Sequence, residues 1–169
     1  DKYKKSISIK SDLDEKNRFD ETLRAMEKGY ELIYHAYLVD GELRGEADFL
    51  IKCSTPSKFG DYSYEVYDTK ITRNLRPRHL TQITAYSDMV GKIQKVLPDK
   101  MYLIDGSDEE HSFKTIEYID LFNHGKKEFL KFLSNVNKEK IYPEKCSYCN
   151  LCNWSDVCDK IWEDDNYIN

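Results

Sequence analysis

The sequence lacks a long apolar segment, a leader-like N-terminus and an excess of basic residues. Every apolar run is shorter than the roughly 18 residues that a membrane-spanning helix needs. The first five residues, Asp1–Lys5, are mostly charged, and no signal-peptide core follows them. We therefore expect an intracellular protein, cytoplasmic or nucleoid-associated, with no membrane partner. Because the first residue is not Met, we also expect either a processed chain or a piece of a longer one.

The charge balance argues mildly against a nucleic-acid-binding protein. The net charge is −5, from 26 Lys plus Arg against 31 Asp plus Glu, whereas phosphate backbones usually meet basic surfaces. The distribution of charge matters more than its total, because the segment 70–78 contains four basic residues and no acidic one. These residues are Lys70, Arg73, Arg76 and Arg78. The arginines either clamp backbone phosphates or belong to a solvated loop, and the sequence leaves both interpretations open.

The order of apolar patterns predicts an α/β fold. The 169 residues are enough for a domain with a real core. Helical periodicity and strand alternation, together with the turn signal Asp40-Gly41, place the elements. Helices are predicted at about 11–30, 77–96 and 119–135, and strands at 31–39, 42–53, 64–70, 101–104 and 111–118. This order indicates a central mixed β-sheet flanked by helices in a core of residues 1–140, followed by a cysteine-rich tail, 141–169.

Two aspartates and a lysine stand near the ends of consecutive predicted strands. Asp68 and Lys70 project from the same face because they are two residues apart, and the neighbouring strand can place Asp48 beside them. Carboxylate oxygens are the ligands that Mg²⁺ or Mn²⁺ prefers, and the Thr69 carbonyl can add one more. The set therefore predicts a metal site that activates water, with an ammonium beside it. The alternative is a solvated surface pair, which is common for two such residues alone.

These residues belong to a longer series of motifs. The segments are Gly45–Leu50, with a G-x-x-D pattern, Tyr64–Lys70, ending in D-x-K, and Gln82–Tyr86, with Q-x-x-x-Y. In this order they resemble the motifs of RecB-family nucleases, which belong to the PD-(D/E)xK superfamily. Ala25–Gly29 before Ile33 and the cysteine-rich tail extend the resemblance, which covers most of the chain from about Phe19 onwards.

The resemblance implies a restriction-endonuclease-like core and a Mg²⁺- or Mn²⁺-dependent deoxyribonuclease acting on single strands or ends. Asp48 and Asp68 would be metal ligands and Lys70 the catalytic lysine. Gln82 would orient the lysine or touch DNA, and Tyr86, one helical turn on, would support the site. The resemblance also implies a helicase or a further nuclease domain as partner, on the same or an associated chain.

The chain departs from the family in its histidines. The related nucleases usually have a further metal-binding His on an upstream helix, and none of the four histidines precedes the first predicted helix. They are His35, His79, His111 and His124. His35 falls on the first predicted strand, where we expect it to pack like an aromatic residue. The usual His is then expected upstream of Asp1, which would leave the core truncated and its metal binding weakened.

Four of the five cysteines follow the pattern C-x2-C-x2-C-x5-C. They are Cys146, Cys149, Cys152 and Cys158. Thiolates this close together predict one metal centre, either a 4Fe–4S cluster or zinc. Related nucleases use C-x2-C-x5-C plus one distant Cys, which matches the last three. The fourth ligand is Cys146, Cys53 or a residue further upstream. We expect a structural role for the centre, with Trp154 and Trp162 packed around it.

Two other classes of protein remain open at this point. A catalytically inactive nucleic-acid-binding module with structural zinc or an iron–sulfur site would keep the cysteines and the basic segment. It would have no use for Asp48, Asp68 and Lys70 together. An iron–sulfur redox protein would not need that constellation either.

Overall fold

A computed structural model of the chain describes residues 3–135 and 142–165. It contains two compact units, residues 1–126 and 127–169. The first unit is α/β, with a mixed six-stranded sheet and flanking helices, as the sequence predicted. The predicted boundary between residues 140 and 141 lies outside the described residues.

The sheet contains its strands in sequence order. The elements are β1 (Ser6–Ser8), α1 (Glu15–Glu27), β2 (Leu32–Asp40), β3 (Leu43–Cys53), β4 (Ser63–Thr69), α2 (Pro77–Gln94), β5 (Lys100–Ile104), β6 (Glu110–Lys114), α3 (Ile116–Ser134) and α4 (Ser155–Asp164). The pairs β1–β2 and β4–β5 are parallel, and the other pairs are antiparallel. Each parallel pair is joined through a helix, because a short turn cannot return a strand to the same direction.

Helix α1 begins later than the sequence predicted. Its N-cap is Asp14, whose carboxylate accepts a hydrogen bond from the Asn17 N–H at 2.9 Å. The residues before Asp14 are not helical, because the helix begins at its N-cap. Further along, the Thr22 hydroxyl accepts from the Tyr37 N–H at 3.0 Å. This bond satisfies a backbone group of β2 beyond the end of β1, so α1 closes that edge of the sheet.

The core lies between one face of the sheet and helices α1 and α2. Both helices contribute to a single buried cluster with strands β2, β3 and β4. Its members are Ile9, Ala25, Met26, Ile33, Ala36, Leu38, Ala47, Leu50, Tyr64, Val66, Tyr86, Met89, Val90 and Ile93. Gln94 is also fully buried, and its amide bonds to the backbone N–H and carbonyl of Tyr64. The end of α2 is thereby tied to β4.

The sequence was wrong about β6 and about the face of α3. Strand β6 ends at Lys114, since Thr115 accepts a bond from the Ile119 N–H and so opens the helix. Ile119 is the buried residue of α3, whereas Phe129 and Phe132 are each 52% exposed. The predicted core face of Phe122, Phe129, Leu130 and Phe132 is therefore not buried as a set. The sequence also missed β1 and α4.

A cluster of four charged side chains connects the β2–β3 turn, α2 and α3. The Lys126 ammonium binds the carboxylates of Asp40 and Asp88, and Lys92 binds the same two carboxylates at 2.7 and 2.8 Å. The bonds to Lys126 and then Lys92 hold the pKa of Asp40 below its ordinary value of 3.8. The cluster therefore favours ionised Asp40 in the folded protein.

This cluster predicts an acid-dependent loss of stability. Because the folded-state pKa of Asp40 is lowered, its contribution is complete above about pH 3.8 and disappears as the pH falls through the lowered value. Urea unfolding at about pH 5 and about pH 3 measures the loss. Asp40→Asn is expected to be less stable than wild type at the higher pH and to lose less on acidification. An equal loss in both proteins would contradict this assignment.

Candidate active site

Strands β3 and β4 bring the two predicted carboxylates together. Asp68, near the end of β4, points to the core face and is 3% exposed. The β3–β4 ladder ends at the pair Phe49↔Tyr67. Beyond it, the Asp48 carboxylate accepts from the Thr69 N–H at 2.7 Å and from the Thr69 hydroxyl. Asp48 thus binds the neighbouring strand through its side chain, which keeps its carboxylate beside that of Asp68.

Lys70 links the carboxylates to helix α2. Its ammonium binds Asp68 and also donates to Gln82 Oε1 at 2.8 Å. The Gln82 amide in turn donates to the Tyr86 hydroxyl at 2.8 Å. Since Gln82 and Tyr86 are one helical turn apart, they form one continuous row toward the lysine. The structure therefore brings Asp48, Asp68, Lys70, Gln82 and Tyr86 to one place.

A glycine makes room for the last member of that row. A Cβ atom on Gly45 would lie 2.3 Å from Cε1 of Tyr86 and 3.0 Å from Cδ1. Atoms of a real side chain do not approach that closely, so β3 needs glycine where the tyrosine ring lies against it. The sequence contained this residue in the G-x-x-D motif, but it did not indicate that the glycine faces the tyrosine.

The electrostatics of the carboxylate pair favour a cation. Burial raises the pKa of Asp68, the bond to Lys70 opposes that rise, and the negative charge of Asp48 adds to it, with a net shift upward. Burial is also the main cause of the raised pKa of Tyr86. The bond to Lys70 therefore does not fully offset the burial of Asp68 and the nearby charge of Asp48. A divalent ion between Asp48 and Asp68 would supply the missing positive charge.

One of the histidines differs from the expectation. His35 does not pack like an aromatic residue, because its side chain is 53% exposed and lies against Glu46. His79, which follows the basic segment, is buried at the start of α2, where its Nδ1 accepts from the Arg76 N–H at 3.2 Å. Burial, and then the positive charges of Lys70, Arg78 and Arg76, lower the pKa of His79.

Within residues 3–135 and 142–165, three His, Cys, Asp or Glu ligand atoms come within 4.8 Å of one another at one place. That group is Asp105, Glu109 and His111, in the β5–β6 turn. The Asp105 carboxylate already accepts from the Ser107 and Glu109 N–H groups, and His111 lies 2.9 Å away. The pKa of Asp105 is lowered, and the hydrogen bond to His111 is the largest cause. These hydrogen bonds stabilise the turn. At the Asp48–Asp68 pair, no third His, Cys, Asp or Glu ligand atom lies close enough to complete a metal site among the described residues.

The predicted phosphate-binding arginines surround the start of α2. Arg73, Arg76 and Arg78 are all exposed. Arg76 is the N-cap of α2, and its carbonyl accepts from the His79 N–H at 2.9 Å. The segment therefore presents positive charge at a helix N-terminus next to Lys70, an arrangement that suits an anion.

The cysteines occupy the second unit. Cys146 and Cys149 have their sulfur atoms 3.9 Å apart, and the Cys146 N–H donates to the Cys149 sulfur. Burial, and then the nearby Cys152 and Cys149, raise the pKa of the Cys158 thiol. All four cysteines thus lie within one compact segment of turns and helix. No three of the four sulfur atoms lie within 4.8 Å of one another, so the structure brings Cys146 and Cys149 together but not the predicted ligands as a set.

The predictions about the two tryptophans of the tail have different outcomes. Trp162 is 7% exposed and donates to the Pro143 carbonyl at 2.8 Å, so it packs as expected. Trp154 is 70% exposed, and its predicted packing is wrong. Cys53 lies on β3, where its sulfur is 3.0 Å from the Ser63 hydroxyl. Its sulfur is thus engaged within the sheet.

Comparison with known proteins did not identify a family for this chain. A scan against protein-family models and a search of curated proteins both found no match to this chain. The resemblance to RecB-family nucleases therefore rests on the motif residues and on their arrangement. No helix among the described residues is both long and apolar enough to cross a membrane.

Proposed function

We propose that this chain is a metal-dependent nuclease domain of the RecB type with a restriction-endonuclease-like core. One observation supports the proposal most. Residues from three separate motifs, on β3, on β4 and on α2, come together: a hydrogen-bonded row joins one carboxylate, one ammonium, one amide and one phenol, and the Asp48 carboxylate binds Thr69 next to that row. A solvated surface pair would not need a buried Asp68 or a lysine held from two sides.

The roles of the side chains follow from their positions. Asp48 and Asp68, with the Thr69 carbonyl, would hold Mg²⁺ or Mn²⁺, which when bound activates water and neutralises charge on the phosphate. Lys70 lies where its ammonium can stabilise negative charge developing on the phosphate. Gln82 and Tyr86 keep the lysine extended toward Asp68, so that its position is set before substrate arrives.

The substrate of this proposal is DNA, as single strands or ends. Arg73, Arg76 and Arg78, which are exposed around the start of α2, would contact backbone phosphates beside the proposed metal site. A helicase or a further nuclease domain remains the expected partner. The rival function is a binding module without catalysis, and the lack of a third carboxylate or imidazole ligand among the described residues favours it.

Cleavage of end-labelled single-stranded DNA tests the proposal. We expect cleavage with Mg²⁺ or Mn²⁺, none with EDTA, and none from Lys70→Ala protein. Lys114→Ala is the matched control, since this exposed lysine at the end of β6 is not part of the site. DNA binding that is insensitive to EDTA, with no cleavage by wild-type protein under any metal, would favour the binding module.

We also propose that Cys146, Cys149, Cys152 and Cys158 hold a 4Fe–4S cluster or a zinc ion. Replacing Cys152 by serine is expected to release the metal and destabilise the tail, because the bound metal supplies folding free energy. Metal analysis and the visible absorption spectrum of protein purified without oxygen measure the loss. Cys53→Ser is the matched control and should retain the metal. Loss of the metal from that variant instead would move the fourth ligand to Cys53.

A further inference from the structure

A half-exposed histidine interrupts strand β2 with an unusual backbone. His35 has φ +54°, in the left-handed region that non-glycine residues rarely adopt. The ladder pairs Tyr34↔Phe49 and Ala36↔Ala47 on either side, so His35 stands opposite Asp48. Such a conformation persists only where the surrounding structure imposes it, and these positions concentrate at functional sites.

A contact at one ring nitrogen, Nδ1, orients the side chain of His35. Its Nδ1 lies 3.1 Å from Glu46 Oε1, and the other carboxylate oxygen of Glu46 binds Arg18. A carboxylate accepts hydrogen bonds, so Nδ1 must carry the proton and Nε2 of the neutral ring has the lone pair. Nε2 forms no hydrogen bond within the part of the chain that the structure describes. The ring is therefore an oriented acceptor without a protein donor.

His35 and Glu46 line an open cleft of about 560 Å³. The β1–α1 connection forms its other wall, with Ser8, Ile9, Lys10, Ser11 and Asp12. This volume is within the range of small-molecule sites, about 300–1,000 Å³. Glu46 is two residues from Asp48 on β3, which places the cleft about 7 Å along the strand from the candidate metal ligand.

The polar groups of the cleft select the kind of ligand. Nε2 and the Asp12 carboxylate accept hydrogen bonds, Lys10 donates, and the serine hydroxyls do both. A phosphate offers only acceptor oxygens, so it does not match Nε2. A nucleobase offers N–H donors beside carbonyl or ring-nitrogen acceptors. Thymine is the simplest case, because its one N–H lies between two carbonyl oxygens.

We propose that this cleft binds an unpaired nucleobase of a strand held at the Asp48–Asp68 site, with His35 Nε2 accepting from a base N–H. The identity of the ligand as nucleic acid rests on the proposed nuclease function. The strained backbone at His35 places the ring in the cleft wall, and Glu46 sets the tautomer that makes Nε2 an acceptor.

The test compares three probes on the Lys70→Ala protein, which keeps the cleft. The probes are thymidine 5′-monophosphate, its N3-methyl derivative, which lacks the N–H, and deoxyribose 5-phosphate, which lacks the base. We expect ¹⁵N spectra of His35 to show the Nδ1-protonated tautomer and an Nε2 shift with the first probe alone. That probe should bind about tenfold more tightly than the methylated one, as for one lost hydrogen bond.

Two variants and one control complete the test. His35→Gly tolerates a positive φ and removes the ring, so it should bind the first two probes equally. Glu46→Gln should mix the tautomers of His35 without removing it, while His124→Ala, in an exposed part of α3, should behave as the Lys70→Ala parent. Equal affinity of that parent for all three probes, or an Nε2-protonated ring, would overturn the proposal.

Failure of the cleft and failure of the nuclease are distinguishable. If wild-type protein cleaves DNA with metal but does not distinguish the probes, the cleft proposal alone is wrong. If the probes are distinguished but no metal supports cleavage, the nuclease is wrong and the chain binds bases for another purpose.

Discussion

Asp68→Asn is expected to lower metal-dependent cleavage by about a thousandfold or more, and to leave the metal-free protein at least as stable as wild type. The first effect follows because the substitution removes one of the two carboxylates proposed to bind the metal, and also the partner of Lys70. The second follows from the raised pKa of Asp68. A group whose pKa is raised on folding destabilises the protein as the pH rises through that value, and asparagine has no proton to lose.

Cleavage rates and thermal unfolding with and without Mn²⁺ measure both effects. Wild-type protein should gain stability from the ion because the folded state binds it, and the variant should lose most of that gain. Asp40→Asn is the matched control, since the pKa of Asp40 is lowered rather than raised. It should lose stability at neutral pH and keep its cleavage rate. A metal-free Asp68→Asn protein that is clearly less stable than wild type would show that Asp68 serves the fold rather than a cation.

The sheet and the site could be predicted from the sequence to different extents. Alternating residues and the turn near Asp40 and Gly41 were enough to place β2, β3 and β4. The two-residue spacing placed Asp68 and Lys70 on one side of the chain, and their ion pair confirms it. The helical spacing of Gln82 and Tyr86 likewise predicted one shared face, which their hydrogen bond confirms. Such local geometry is fixed by backbone periodicity alone.

The rest depended on contacts between distant segments. Periodicity identifies an apolar stripe such as that of Phe129 and Phe132, but it does not tell whether another element covers the stripe. The left-handed backbone of His35 arises where two strands meet around Asp48, and no residue beside it in the sequence signals it. A polar residue on a strand was therefore assigned a packing role that its exposure contradicts.

Gly45→Ala is expected to lower cleavage by about a hundredfold, although glycine contributes no side chain to the proposed site. The added methyl group would lie 2.3 Å from the Tyr86 ring, which must then move away. The Tyr86 hydroxyl accepts a hydrogen bond from the Gln82 amide, and Gln82 Oε1 accepts one from the Lys70 ammonium. Displacement of the ring therefore lets Gln82 move, and the ammonium then loses its hydrogen bond to Gln82. A shift of about 1 Å in a catalytic group can cost this much in rate. Overpacking should also cost about 1–3 kcal/mol of unfolding free energy.

Four further proteins separate displacement of the lysine from general destabilisation. Gly125→Ala adds a methyl group in α3 where no atom lies within 4 Å, and it should keep full activity. Tyr86→Phe keeps the ring but removes the bond to Gln82, so it should lose part of the rate with little change in packing. The last two are Tyr86→Ala and the double variant Gly45→Ala/Tyr86→Ala. In the double variant the methyl group has no ring to displace, so the losses of Gly45→Ala and Tyr86→Ala should not add. Additive losses would mean that Gly45 acts on the site by a route other than Tyr86, and the row from glycine to lysine would then not be one functional unit.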